Sequence, residues 1–241
     1  MKERPIAFLD SGIGGVSILK VVKHYLPNEN YIYLADAKNN PYGTKTKEEL
    51  FQIIDHHVQD LLTYHPKLIV VACNTATTMV LGKIREKYKN IPFIGTEPAL
   101  KVIHDHYPDS KTIVLATKGT EYSERFQELC NLYQTKNTQV VEVDELASMI
   151  EQNSPQIEEY LKEKLAPFKG TEVVVLGCTH FAFIEKEIKY IGSQLSPHWI
   201  YKNFHILGDA IVSFIGEMDV KITEMVDIED VITDSPIYSK K

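Results

Sequence analysis

The chain has 241 residues, of which 44% are apolar and 24% charged, and its net charge is −7. That length accommodates one large or two small domains with a real core, and the acidic balance argues against a dedicated nucleic-acid surface, which needs clustered Lys and Arg. No run approaches the ~20 apolar residues of a membrane span, and the start lacks a secretory h-region, so the expected location is the cytoplasm, with reduced thiols available for chemistry.

Taken in order, residues 5–9 read as a strand, followed by Asp10-Ser11-Gly12-Ile13-Gly14-Gly15. A helix follows with Val16, Leu19, Val22 and Leu26 on one face. Glycines between strand and helix let the backbone approach a ligand, and a helix N-terminus favours an anion. The third glycine and ribose-binding acid of a dinucleotide fingerprint are missing. Residues 31–35 form the next expected strand, ending at Asp36, with a turn-rich loop through Asn40-Pro41-Tyr42-Gly43. Residues 46–64 carry apolar residues at helical spacing, with Thr46 as N-cap. His56, His57 and His65 lie in or near this helix and read as solvated or packed, since no partner ligands fall at metal spacing.

A strand over 68–72 leads into Cys73, and residues 76–89 form a helix. A short strand at 92–95 precedes a helix opened by Glu97-Pro98-Ala99. The alternation then restarts: strand 111–116, helix 120–133, strand 138–143, helices near 145–152 and 155–166, strand 173–176, helix 181–194, strand 204–207, helix 209–216. Ser154-Pro155 is the expected cap of the helix at 155, and Val231-Ile232-Thr233 a short edge strand. This βα alternation predicts an α/β fold with mostly parallel sheets. It falls into two similar α/β domains, 1–96 with 207–241 and 97–206, with a cleft between them.

Two stretches share one grammar. Val70-Val71-Ala72-Cys73-Asn74-Thr75 and Val175-Leu176-Gly177-Cys178-Thr179-His180 each run from a buried strand into a thiol with polar partners. Open α/β sheets place chemistry at these carboxyl ends. The thiols lie roughly a hundred positions apart, which suits one from each domain. Two facing thiols can invert a chiral α-carbon, one removing the proton and the other returning it on the opposite face. A pKa gap on the order of ten corresponds to roughly 14 kcal/mol, so such a site must exclude water and carry preorganised donors. Asp10-Ser11 can lie beside Cys73, His180 can assist Cys178, and Asn74, Thr75 and Thr179 can donate to carboxylates. A single-nucleophile cysteine hydrolase, with Cys178 and His180 or with Cys73 and a distant histidine, is the competing reading; it leaves one thiol unexplained. Cys130 sits at a helical position and reads as packing.

At these residues the chain resembles the glutamate racemases of the aspartate/glutamate racemase superfamily. The matching blocks are Phe8–Gly15, Asp36 with Pro41-Tyr42-Gly43, Ala72–Ala76, Gly95 with Glu97-Pro98-Ala99, and Leu176–His180, in family order. The resemblance implies interconversion of L- and D-glutamate without cofactor or metal, supplying D-glutamate for peptidoglycan, by a homodimer. It implies Cys73 and Cys178 as the catalytic pair, taking the proton from the D- and L-isomer respectively, with Asp10 and His180 as assistants. Substrate contacts would come from Asp10, Ser11, Pro41, Tyr42, Gly43, Asn74, Thr75, Thr117, Thr120, Glu151, Thr179 and His180. A racemase for aspartate or another amino acid, or a non-catalytic amino-acid binder, are the alternatives. The chain departs from the family pattern at Asp144-Glu145, where Cys-Pro is common, and at Phe181-Ala182, where Tyr-Pro is usual.

Overall fold

The structure, a computed structural model, describes residues 4–195 and 200–202. Its first sheet contains β1 (Ile6–Asp10), β2 (Tyr31–Ala35), β3 (Leu68–Val71) and β4 (Phe93–Gly95). They run parallel in the order β2-β1-β3-β4. The second contains β5 (Thr112–Ala116), β6 (Thr138–Glu142), β7 (Val173–Leu176) and β8 (Ile200–Lys202), parallel in the order β6-β5-β7-β8. Each sheet therefore starts at a central strand, steps to one edge, and returns past its start to the other side. Strands covered on both faces read as continuous apolar runs, and all residues of β1, β3, β5 and β7 are buried.

Side-chain alternation divides each strand between two cores. Ile6, Phe8, Leu68 and Val70 pack with Ile18 and Val22 of α1 (Val16–Tyr25). Ala7, Leu9, Ile69 and Val71 pack against α2 (Lys47–Leu62) and α3 (Asn74–Lys87). In the second sheet, Val114, Val173 and Val175 pack with Leu100 and Ile103 of α4 (Leu100–His106) and with Phe126 and Leu129. Ile113, Leu115, Val174 and Leu176 face the helices that follow β6 and β7. The helix opened after Glu97 thus joins the second sheet's core.

Local chemistry sets several boundaries. Thr46 and Glu49 form a reciprocal capping box at the start of α2, worth about 1 kcal/mol. The expected helix 120–133 is instead two, α5 (Lys118–Glu121) and α6 (Glu124–Tyr133). Ser123 interrupts them, because its Oγ accepts from Phe126 N and caps the second. Then come α7 (Asp144–Glu151) and α8 (Ile157–Leu165). Ser154 does not cap α8; Gln156 stands at that position without a side-chain bond. After β7 the chain makes a 3-10 helix over Thr179–Ile184 before α9 (Glu185–Leu195), so the helix expected at 181 begins later. The readings over 204–207, 209–216 and 231–233, and the return to the first domain after 207, lie outside the described residues. Among the described residues no helix is long and apolar enough to cross a membrane.

Candidate active site

Cys73 and Cys178 each lie two positions beyond the last residue of the third strand of their sheet, β3 and β7. Both thiols are buried and free. Around them the two sheets meet through polar contacts made by loops at the strand ends.

The first contact zone is the turn after β1. Asp10 is fully buried, and its Oδ2 accepts from Gly15 N at 2.5 Å and from Thr179 Oγ1 at 3.2 Å. Ile13 N donates to Glu151 Oε1 at 2.8 Å. A Cβ on Gly12 would stand 1.8 Å from Glu151 Oε1, and one on Gly14 2.2 Å from Thr179 Oγ1. At Gly14, where a Cβ would also meet His180 N at 2.8 Å, the approach of the second sheet's residues leaves no room for a side chain; at Gly12 a side chain would displace the Glu151 carboxylate. Tyr33, on edge strand β2, donates from its hydroxyl to Gly12 O at 2.7 Å and holds the turn from the other side.

The second zone is built of hydroxyls. Thr75 Oγ1, two residues after Cys73 in the first turn of α3, lies 3.0 Å from Thr117 Oγ1 and 3.1 Å from Thr120 Oγ1, and all three residues are buried. Gly43 packs beside Thr117, and a Cβ on Gly119 would stand 2.9 Å from Gly43 O. A cleft of about 510 Å³ opens beside this zone, between Gly43–Lys47 on one side and Lys118–Glu124 on the other. Lys47 and Glu124 pair across it at 2.7 Å.

The surroundings of the two thiols differ. Cys73 Sγ has Ser11 Oγ at 3.9 Å; burial and the nearby Asp10 carboxylate push its thiol pKa well up. Burial likewise raises Asp10, against the partial relief given by His180 and the bonds from Gly15, Ser11 and Thr179. Cys178 Sγ lies 3.7 Å from His180 Nδ1, and His180 Nε2 lies 2.7 Å from Glu151 Oε1. Burial opposes a charged imidazole, but Cys178, Glu151 and Asp10 outweigh it and push His180 up to about 10. An imidazolium, which donates from both ring nitrogens, satisfies both neighbours at once. The bond from His180 in turn holds the Glu151 carboxyl below its usual range.

Of the residues singled out from the sequence, Asp10, Ser11, Cys73, Cys178, Thr179, His180 and Glu151 come together around the first zone, and Thr75, Thr117, Thr120 and Gly43 around the second. Asn74 lies at the head of α3, its Nδ2 donating to Thr96 O at 3.3 Å. Tyr42 points its hydroxyl inward onto Asp36 Oδ2 at 2.8 Å and is only 2% exposed. Glu151 engages His180 and the glycine turn rather than standing free in the cavity. Sequence reasoning missed Tyr33, Ser123 and Thr96, whose roles depend on contacts between elements that no local pattern reports. Among the described residues no cluster of His, Cys, Asp or Glu could hold a metal ion.

Two parallel α/β sheets, each delivering a thiol from its third strand into a shared interface, define a two-lobed architecture built for chemistry on a small molecule. The family profile for Asp/Glu/hydantoin racemases matches residues 17–195, and the chain belongs to that family. Within it the chain is similar to glutamate racemases. The one from Clostridium botulinum is 44% identical over 194 residues, covering 78% of this chain and 75% of the relative. That from Clostridium acetobutylicum is 40% identical over 202 residues, covering 81% and 78%. The crystal structure of Escherichia coli glutamate racemase with L-glutamate and the activator UDP-MurNAc-Ala superposes with a TM-score of 0.78 at 27% identity, covering 93% of this chain and 86% of that one. The Francisella tularensis enzyme with D-glutamate superposes with a TM-score of 0.74 at 26% identity, covering 94% and 86%. A second profile, Domain of unknown function (DUF366), matches residues 179–241.

Proposed function

We propose that this chain interconverts L- and D-glutamate by a two-thiol mechanism and supplies D-glutamate for peptidoglycan synthesis. The observation that carries the reading is the pair of buried thiols at equivalent strand ends, each with its own acid–base neighbour, in a chain of this family.

In the L-to-D direction, the Cys178 thiolate, paired with the His180 imidazolium, takes the α-proton. The C–H bond breaks, an S–H bond forms, and the electron pair stays on the α-carbon and its carboxylate. Cys73, kept as a neutral thiol by burial and by Asp10, then gives its proton to the opposite face. In the D-to-L direction the roles reverse. Asp10 Oδ1 and Asn74 Oδ1 are buried acceptors without a partner. A substrate ammonium between them would add to the partial relief that His180 gives the buried Asp10 and satisfy both oxygens. The hydroxyls of Ser11, Thr75, Thr117, Thr120 and Thr179, with the backbone of Pro41-Tyr42-Gly43, form the donor set for the two carboxylates. Glu151 orients His180.

The reading includes two domains, 1–96 with 207–241 and 97–206, whose closure excludes water from the thiols. It also includes a cytoplasmic homodimer. The activity is tested by following optical rotation or circular dichroism of L- and D-glutamate with the pure protein and no added cofactor. Both isomers should run to the same racemic endpoint. Racemisation of aspartate with glutamate untouched would move the reading to another amino acid, and a static signal with every amino acid tried would leave only a binding protein.

A further inference from the structure

Asp36 closes β2 at the sheet edge, with its backbone N donating to Asp10 O at 2.9 Å. It is 4% exposed, yet no substrate-facing role falls to it. Its carboxylate instead collects donors from three directions. Tyr42 Oη donates to Oδ2 at 2.8 Å, and Asn39 Nδ2 reaches Oδ2 at 2.8 Å and Oδ1 at 2.9 Å. His57 Nε2, from the buried side of α2, lies 2.8 Å from Oδ2, off the direction of a well-formed hydrogen bond. Burial penalises the carboxylate, but these contacts outweigh it and hold Asp36 below its usual range. It is thus an ionised group sealed beneath the loop that carries Pro41, Tyr42 and Gly43.

Tyr42 is the link. Its ring is buried with Leu50, Ile54 and Val58 of α2, and its hydroxyl is tied to Asp36. The Tyr42 side chain cannot then face a ligand, so residues 42 and 43 of the short 3-10 helix Tyr42–Thr44 can offer only their backbone there. Backbone donors act at a fixed place only if the loop is fixed, and loops not tied to the scaffold open easily. Here the tie is a buried charge, whose partners cannot be lost cheaply.

We infer that Asp36 and His57 are positioning residues for the substrate-binding loop: His57 anchors the Asp36 carboxylate to α2, and Asp36 fixes Tyr42 so that the backbone at 42–43 meets the substrate. The inference rests on the glutamate reading above. A loop that binds ground state and transition state alike changes KM and leaves kcat nearly untouched. Neither residue touches either thiol, which separates this pair from Asp10 and His180.

The test uses the full chain with Asp36→Asn, His57→Asn, Tyr42→Phe and the double variant Asp36→Asn/Tyr42→Phe. Racemisation kinetics and calorimetric binding of D-glutamate are measured on each. Asp36→Asn should raise KM and Kd about tenfold and His57→Asn about threefold, with kcat within about twofold of the parent. The double variant should be no worse than Asp36→Asn alone, because both substitutions cut the same tie. Folded variants with unchanged KM and Kd, effects confined to kcat, or additive effects in the double variant would overturn the assignment. His57→Gln, which keeps a donor on α2, should recover part of the loss; if Asp36→Asn does not fold, the His57 pair decides. A parent that binds glutamate without racemising it, with binding weakened by Asp36→Asn, would defeat the racemase reading and spare this one. A parent that neither binds nor racemises glutamate would defeat both.

Discussion

Cys73 and Cys178 leave equivalent strands of two sheets with the same order, yet they meet different charges. Beside Cys73 stand a serine hydroxyl and a buried carboxylate. Beside Cys178 stand an imidazole and, behind it, a second carboxylate. The backbone repeats while the electrostatics do not. A carboxylate near a thiol favours its protonated form, whereas an imidazolium favours the thiolate. In the two-thiol mechanism proposed above, the Cys73 side serves as acid and the Cys178 side as base for the L-isomer, and the roles exchange for the D-isomer.

The largest effect expected from breaking this comparison is loss of either sulfur. Cys73→Ser and Cys178→Ser should each lower kcat by at least about a thousandfold, or ~4 kcal/mol, in both directions when racemisation is followed by circular dichroism. A variant that kept near-parental turnover both ways would show that its thiol is not one of the two bases.

Smaller effects should separate the halves. His180→Asn should cost about a hundredfold in kcat, within the usual range for a lost acid–base partner, and should slow proton removal from the L-isomer more than from the D-isomer. Glu151→Gln, which leaves the imidazole in place, should cost about tenfold in the same direction. Equal effects on both isomers would mean that the His180 pair serves the interface rather than one thiol.

The same pair predicts a pH dependence of stability. His180 is raised to about 10 from a value near 6.5 in the unfolded chain. Its stabilising contribution is complete below pH ~6.5 and is lost as pH rises toward 10. Denaturant midpoints measured across that window should fall for the parent and fall less for His180→Asn.

The smallest effect belongs to the neutral zone. Thr117→Val removes a hydroxyl shared with Thr75 and Thr120. It should cost about 1 kcal/mol, a fall in Tm of ~2–4 °C, with the balance between the isomers unchanged.

Much of the framework was legible without coordinates, because the features concerned are local. Short apolar runs ending in Cys73 and Cys178 identified the strands and the strand-end position of each thiol. The Thr46 cap was equally readable, since a capping box spans four residues. The split at Ser123 was not, because a serine in an otherwise helical stretch reads as tolerated until it is seen capping. Glu151 illustrates the harder limit. Family pattern brought it near the site, but its bonds to Ile13 N and to His180 join residues distant in the chain. His57 read as merely solvated or packed, and its contact with Asp36 depends on how α2 lies against the loop after β2. Charge partners of this kind are set by packing, which periodicity does not encode.

The division of labour between the two sulfurs is tested most directly by initial-rate racemisation of L-glutamate in deuterium oxide, with both isomers recovered and their α-carbons read by mass spectrometry or NMR. Deuterium should enter the D-glutamate formed while the remaining L-glutamate keeps its proton, because the group that removes the proton is not the group that delivers its replacement. Deuterium entering the unreacted L-isomer as fast as it enters the product would mean one exchanging base serving both faces.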